Sequence, residues 1–511
     1  VDALSDDFDY VLYICGFIVF LFLTISIGRL ELSLLSFLPL AVGWIWILGI
    51  MNIFDIRFNI INIILATFIF GQGDDYTIFV TEGMMYEYTY RRKMLASYKN
   101  SVLLSATIMF IGIGSLIIAK HPAMHSLAEV TIIGMFCVVL MAYIFPPLIY
   151  RWLTKKRGHD RLMPITLLNL LKTIYAFTVF FVFSIFLSIL GFFVLTIGGK
   201  TPKHKLFYHK CLCGLLRTCV RWMPGVEAHV HNTAGETFEK PAIITCNHQS
   251  HLDLLYTLAL NPKIICLTNK WVWNSPFYGW IIRYADFYPV ANGLEENEKQ
   301  VEKALRNGYS VLIFPEGTRS ETCDILRFHK GAFHLAKKLG VDVLPLVTHG
   351  IGHVFPKQEF MLRKGRVDVQ ILPRITNENP LMEGDANTVA KAMRQYYVEQ
   401  YGQLCRDTET ADYFADLVLH NYIYKGRDIE RRARKNLRQN GNYLEAIAAL
   451  PDNGEYRIDN CGQGEFALLA ALVKKNLQIT ATDSDADLVD IAANCVSVPE
   501  NLKYEHPNAD E

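Results

Sequence analysis

The sequence predicts a multidomain protein: an all-α transmembrane bundle, then an α/β domain, then a partial α/β segment. Three observations carry this. Long apolar runs follow one another through the first third of the chain. From 225 onward, short apolar runs alternate with helical stretches. Near residue 455 a strand, a glycine-bearing turn, a helix and another strand follow in order.

The length of 511 residues accommodates about three domains. Lys plus Arg number 50 and Asp plus Glu number 50, a balance that does not point to nucleic acid as a partner. Hydrophobic residues make up 51%, more than a soluble protein usually carries. The chain starts at Val1 without a recognisable signal peptide, which reads as a piece of a longer protein. The 11 cysteines are scattered and form no C-x-x-C, so neither disulfides nor a metal site are expected, and a reducing cytoplasm suits the soluble part.

A helix crossing a bilayer needs about 20 mostly apolar residues. Such segments stand at 8–27, 34–54, 59–80, 101–119 and 129–150, within a bundle domain assigned to 1–155. The 81–100 loop carries Arg91, Arg92, Lys93 and Lys99, and Arg151, Lys155, Lys156, Arg157 and Arg161 follow the last segment. Both regions are expected in the cytoplasm, leaving Arg57 in an outer loop. Within the third segment, "GQGDDY" puts Asp74 and Asp75 at a depth where carboxylates are costly. They mark either a functional site or the cytoplasmic end of the helix.

A sixth apolar stretch, 174–197, has lysines on both sides: Lys155, Lys156 and Lys172 before it, Lys200, Lys203, Lys205 and Lys210 after it. That symmetry favours a membrane-associated hairpin bent near Gly191 over a crossing. Everything downstream is then cytoplasmic.

In the α/β domain, "PAIITC", "SVLIF", "VDVLPLV" and "GRVDVQIL" read as strands. The first runs into "NHQSHLD". Ser250 and Asp253 fit a helix capping box. His248 and Asp253 equally fit a general base whose carboxylate fixes the imidazole tautomer. The third motif of interest, "FPEGTRS", follows "SVLI". It offers a sharp turn, a glycine that permits close backbone approach, and the planar guanidinium of Arg319.

Together, and in this order, N-H-x-S-x-x-D and F-P-E-G-T-R-S resemble the glycerophospholipid acyltransferase family, above all the 1-acylglycerol-3-phosphate acyltransferases. "NKWVWNSPFYGW" is similar to the family's second block through Lys270, Pro276 and Gly279, but "FYPVANG" lacks the arginine common there, and Arg283 lies upstream. The resemblance implies that 165–384 is an acyltransferase, with His248 and Asp253 as the catalytic pair. It implies Lys270, Glu316, Gly317, Thr318 and Arg319 as substrate-binding residues, with acyl-CoA or acyl carrier protein as donor. His329, His334 and His349 are assigned structural or surface places, and no metal is expected.

Gly71 to Tyr76 resembles the proton-relay motif of the resistance–nodulation–division superfamily, particularly its lipid-exporting MMPL branch. This implies Asp75 and Tyr76 as relay residues, and the remaining transporter half as a partner. Residues 385–450 read as a helical linker, its basic stretch a solvated helix face. "YRIDNCGQGEFALLAALVKKNLQITATDSD" then resembles the opening of a class I S-adenosylmethionine-dependent methyltransferase, a partial Rossmann-like segment over 451–511. By that likeness Gly462, Gly464 and Asp483 would bind S-adenosylmethionine. The whole order resembles bacterial trifunctional fusions. The expectation is a multi-pass protein of the inner (plasma) membrane that acylates lysophospholipids; the alternative is a transporter component whose acyltransferase domain binds lipid without turnover.

Overall fold

The computed structural model describes residues 2–56, 60–276, 278–290, 297–439 and 442–506. Arg57 lies outside the described residues, as do Ala291, Asn292 and Gly293 of "FYPVANG". The chain divides into two compact units: residues 1–167 with 414–511, and residues 168–413.

The apolar runs of the first unit fold as α1 (Asp2–Ile27), α2 (Leu30–Ile53), α3 (Ile60–Tyr90), α4 (Leu95–Gly114) and α5 (Pro122–Thr154). Each helix is longer than the apolar segment that predicted it, because helix continues past the hydrophobic stretch to a cap or turn. Pro146 and Pro147 lie within α5, as membrane helices tolerate. Exposed Phe17, Phe22, Ile45 and Ile111 give the bundle an apolar exterior, while Val80, Ala128, Val130 and Ala142 are fully buried inside. Among the described residues, four helical stretches are long and apolar enough to cross a membrane: Leu30–Ile53, Leu95–Ile118, Pro122–Thr154 and Leu167–Ile197. A tight antiparallel pair, β1 (Lys155–Lys156) and β2 (His159–Asp160), follows the bundle.

The second unit begins with α6 (Leu167–Gly191), which continues without reversal as a π-helical stretch, Phe192–Ile197. The expected hairpin inside 174–197 is therefore absent. Gly191 does not bend the chain back; it lets the helix approach Tyr284, whose ring carbon would lie 2.3 Å from an added Cβ. The turn comes later, at Gly198–Thr201, and leads into amphipathic α7 (Pro202–Arg221), capped by the Thr201 hydroxyl.

There follow β3 (Val226–His231), β4 (Ile243–Cys246), α8 (Asp253–Leu258), β5 (Ile264–Asn269), α9 (Lys270–Trp273), α10 (Gly279–Tyr284), β6 (Tyr288–Val290), α11 (Glu298–Arg306) and β7 (Ser310–Ile313). The unit ends with α12 (Gly331–Leu339), β8 (Val343–His349), α13 (Ile351–Val354), β9 (Gly365–Ile371) and α14 (Ala386–Thr408). The strands form one seven-stranded mixed sheet, order β3-β9-β8-β4-β7-β5-β6, parallel except for β8 against β9. Strands β4, β7 and β8 are buried along their whole length, as their unbroken apolar sequences require when both faces are covered. The helix α14 is part of this core and not a linker: Val389, Met393 and Tyr397, spaced for one helix face, are buried in it, and Tyr397 donates to the Thr245 carbonyl.

Beyond it come α15 (Ala411–His420), α16 (Arg427–Gln439), α17 (Asn442–Ala449), β10 (Gly454–Asp459), α18 (Glu465–Val473), β11 (Leu477–Thr482), α19 (Ala486–Ala493) and β12 (Leu502–Glu505). The three strands pair in parallel, in the order β10-β11-β12. This segment packs with the bundle in the first unit. Arg29 makes a two-pronged pair with Glu430, at 2.7 and 2.6 Å. Arg92 reaches Asp487 and Asp490. Lys425, expected on a solvated face, is buried, its ammonium donating to the carbonyls of Ile491 and Asn494 at 3.1 Å. Further along the basic stretch Arg431, Arg432, Lys435 and Arg438 are exposed, while Arg434 is half-buried and pairs with the buried Glu430 at 2.7 Å.

Candidate active site

Strands β4 and β7 are parallel neighbours, so the turns at their C-terminal ends stand side by side. "NHQSHLD" follows β4 and "FPEGTRS" follows β7. Adjacency in the sheet thus joins two motifs far apart in sequence. Ser320 N donates to the His248 carbonyl at 2.8 Å, and His248 N donates to Glu316 Oε1 at 3.0 Å.

His248 Nδ1 lies 2.8 Å from Asp253 Oδ2. The same oxygen accepts the backbone amides of Gln249, at 2.7 Å, and Ser250, at 2.8 Å. Such an acceptor makes Nδ1 the donor and leaves the lone pair on Nε2. Asp253 is fully buried, while the His248 side chain keeps 20% of its surface exposed. Its ring stacks on Phe314, centroids 4.1 Å apart. The imidazole is thereby fixed on one edge by Asp253 and supported on one face by Phe314.

Both sides of the expected capping box are present. Asp253 reaches back to Ser250 N, and the Ser250 hydroxyl accepts the Leu252 amide at 3.3 Å while donating to the Phe355 carbonyl at 2.6 Å. The helix starts at Asp253 itself, with Leu252 at its N-cap. The carboxylate organises the turn that precedes the helix.

Glu316 is buried, and its oxygens accept the amides of His248 and Leu326. Burial pushes its carboxyl up to about 7, Asp253 adds to this, and the two amides oppose it. Gly317 has φ +68, and an added Cβ would meet the His329 ring at 3.3 Å. Gly317 and Thr318 are exposed and Arg319 is half-buried; the Arg319 carbonyl accepts Lys357 Nζ at 2.9 Å. Lys270 begins α9 at the end of the next strand, β5, and is exposed. Arg283 turns elsewhere, bonding the Gly279 carbonyl and lying over the Trp280 ring at 4.6 Å.

Several supporting residues were not singled out from the sequence. Asn247 bridges to β8, its side chain bonding both Thr348 N and Thr348 O. Gln249 bonds the Cys323 carbonyl and the Tyr401 hydroxyl. Arg394 of α14 holds the carbonyls of Ile325 and Leu326. Their partners are remote in sequence, so local pattern carried no signal beyond membership of the two motifs.

A cavity of about 390 Å³ opens beside the turn, lined by Phe180, Phe183, Leu187, Leu216, Leu255 and Trp271, with His251 among the few polar residues. Its size and apolar lining suit a small-molecule site.

In the first unit, Tyr76 is buried with its hydroxyl 3.4 Å from Ser105 Oγ, whereas Asp75 is exposed. Successive residues on a helix face different directions, and the half-buried Asp74 is the acid with an oxygen enclosed and unpartnered. In the C-terminal segment, Gly462 N donates to Asp483 Oδ2 at 2.8 Å, and Asp485 N to Oδ1 at 2.9 Å. Gly464, at φ +87, admits Ala492 and Tyr504 where a side chain would stand.

Residues 227–349 match the Acyltransferase family model, and residues 20–162 match the MMPL family model. The chain is 31% identical over 182 residues to the 1-acyl-sn-glycerol-3-phosphate acyltransferase of Chlamydomonas reinhardtii, covering 34% of this chain and 54% of that protein. It is 24% identical over 229 residues to 1-acyl-sn-glycerol-3-phosphate acyltransferase alpha of Bos taurus, covering 44% of this chain and 78% of that protein. With the 1-acyl-sn-glycerol-3-phosphate acyltransferase of Saccharomyces cerevisiae it shares 30% identity over 169 residues, 32% of this chain and 55% of that protein. Among solved structures, PlsC, the 1-acyl-sn-glycerophosphate acyltransferase from Thermotoga maritima, aligns over 46% of this chain and 95% of its own, at 23% identity and a TM-score of 0.40. In one chain, residues that match the MMPL family model are thus followed by residues that match the Acyltransferase family model.

Proposed function

We propose that this chain transfers an acyl group from acyl-CoA or acyl carrier protein to the free hydroxyl of a 1-acylglycerol-3-phosphate. The observation that carries the reading is the His248–Asp253 pair, Nδ1 to Oδ2 at 2.8 Å, on a turn whose His251 and Leu252 line an apolar cavity. Nε2 takes the hydroxyl proton as the oxygen attacks the thioester carbonyl. The tetrahedral intermediate collapses, the C–S bond breaks, and the leaving thiolate takes the proton back from the imidazolium. Asp253 holds the tautomer and stabilises the charged ring. Arg319, with Gly317, Thr318 and Lys270, receives the acceptor's phosphate and glycerol. Glu316 is a positioning residue, since both its oxygens serve backbone amides. The cavity holds an acyl chain. The membrane segment keeps the reaction at the bilayer surface where lysolipid resides, and its MMPL character argues for a lipid-exporting partner half that works beside the acyltransferase.

The test uses membranes containing the full chain, lysophosphatidic acid and a labelled acyl donor. Label is expected in phosphatidic acid with the parent and not with His248→Ala. Equal transfer by both proteins would remove His248 from the mechanism. Lipid binding without transfer by the parent would favour a carrier.

A further inference from the structure

Behind the catalytic turn, on the far side of the Asn247–Thr348 bridge, the last residue of β8 meets the end of α14. His349 is fully buried, and its Nε2 lies 3.0 Å from Glu409 Oε1. Cys405 is one helical turn before Glu409, so both side chains lie on one face. The sulfur, the imidazole nitrogen and the carboxylate oxygen all fall within 4.8 Å of one another.

The tautomer of His349 can be deduced. The Thr408 hydroxyl donates its one proton to the Leu404 carbonyl at 2.6 Å. Its oxygen, 3.3 Å from His349 Nδ1, is therefore an acceptor, and Nδ1 carries the hydrogen. In a neutral ring Nε2 then presents a lone pair to a carboxylate oxygen at hydrogen-bond distance, the imidazole fully buried and the carboxylate 10% exposed. Two acceptors face each other there unless a proton or a cation lies between them. The nearby sulfur favours the cation, since a thiol adds little to an imidazolium–carboxylate pair but completes a metal-binding triad. The donated Nδ1–H is the outer hydrogen bond that ligating histidines usually make. The end of α14 also presents the negative pole of a helix dipole.

We propose that His349, Cys405 and Glu409 bind a zinc ion. One nitrogen, one sulfur and one oxygen donor suit zinc better than magnesium or calcium. Bonds of about 2.0–2.3 Å in a tetrahedron place ligand atoms about 3.3–3.8 Å apart, a spacing that the observed separations bracket. A solvent molecule takes the fourth position. The ion pins α14 to β8, one residue from Thr348, which Asn247 holds. It thus braces the turn that carries His248 without touching substrate.

The full chain, purified in detergent without chelator and dialysed against zinc and then metal-free buffer, should retain close to one zinc per chain by mass spectrometry. Cys405→Ser with Glu409→Gln should lower that content at least about tenfold. Cobalt exchanged into the parent should show a thiolate-to-metal charge-transfer band, a readout that needs no folded variant. A parent that retains less than about a tenth of an ion per chain and shows no such band would overturn the proposal and leave a buried imidazolium–carboxylate pair. Zinc content unchanged by the double substitution would overturn it equally, by placing the ion elsewhere.

Discussion

The Glu316 carboxyl accepts the backbone amide of His248 at 3.0 Å, so the motif after β7 holds the main chain of the residue proposed as the base. The two motifs are one object, and Glu316 fixes where that residue stands.

Removing the base should show in turnover. His248→Ala is expected to lower kcat by about 10²–10⁴ with little change in melting temperature. Asp253→Ala should lower kcat comparably and also destabilise the fold, because Asp253 Oδ2 organises two amides of the turn. Steady-state kinetics and thermal unfolding separate the two variants; unchanged stability in Asp253→Ala would contradict the organising role.

Arg319→Ala should raise KM for the phosphate-bearing acceptor by about 10–100-fold, the loss of a charge-assisted contact of roughly 1.5–3 kcal/mol, while KM for the acyl donor stays near the parent's. Arg319→Lys should recover only part, because the ammonium lacks the planar fork. Equal effects on both substrates would place Arg319 outside the acceptor site.

Burial raises the Glu316 carboxyl from 4.5 to about 7. The fold thus favours the protonated acid. That contribution is complete below about pH 4.5 and disappears as pH rises through about 7. Glu316→Gln removes it. The parent's unfolding free energy relative to the variant should fall across this window by on the order of 3 kcal/mol. Chemical denaturation at a series of pH values measures the difference; a flat difference would refute the assignment.

Gly191→Ala puts a methyl group into the Tyr284 ring, 2.3 Å from Cδ2. The expected loss is about 1–3 kcal/mol. Adding Tyr284→Ala should recover much of it, so a double-mutant cycle on the melting of the purified protein should give a non-zero coupling.

Arg29→Ala leaves the largely buried Glu430 with Arg434 alone; the Arg29 and Glu430 side chains are 15% and 11% exposed. The cost should be about 1.5–3 kcal/mol, that of a hydrogen bond to a charged group, and appear as faster proteolysis within 427–511. Replacing both residues by apolar ones should restore protection.

The apolar runs made the bundle legible, and β4, β7 and β8 were readable as short, mostly apolar runs, whereas β3, with Glu227 and His229 in its middle, was not. His248 and Asp253 were legible because their contact is local. What escaped detection involves distant partners. Glu316 reads as a charged turn residue until β4 and β7 pair. Asn247 gains its meaning only from Thr348, and His349 only from Cys405 and Glu409. Val389, Met393 and Tyr397 lie in the stretch read as a helical linker, and nothing local said that they complete the core of the second unit. The hairpin expected within 174–197 rested on charge symmetry, which constrains where the ends of a segment lie and not whether its middle turns.

The Tyr424 hydroxyl donates to the Ile165 carbonyl at 2.6 Å. Ile165 precedes the stretch 168–413 and Tyr424 follows it, and both belong to the same compact unit. The first unit thus ties together the chain segments on either side of a stretch that it does not contain. A protein lacking 168–413, its cut ends bridged by a short flexible linker, should keep Arg29 on Glu430 and Arg92 on Asp487.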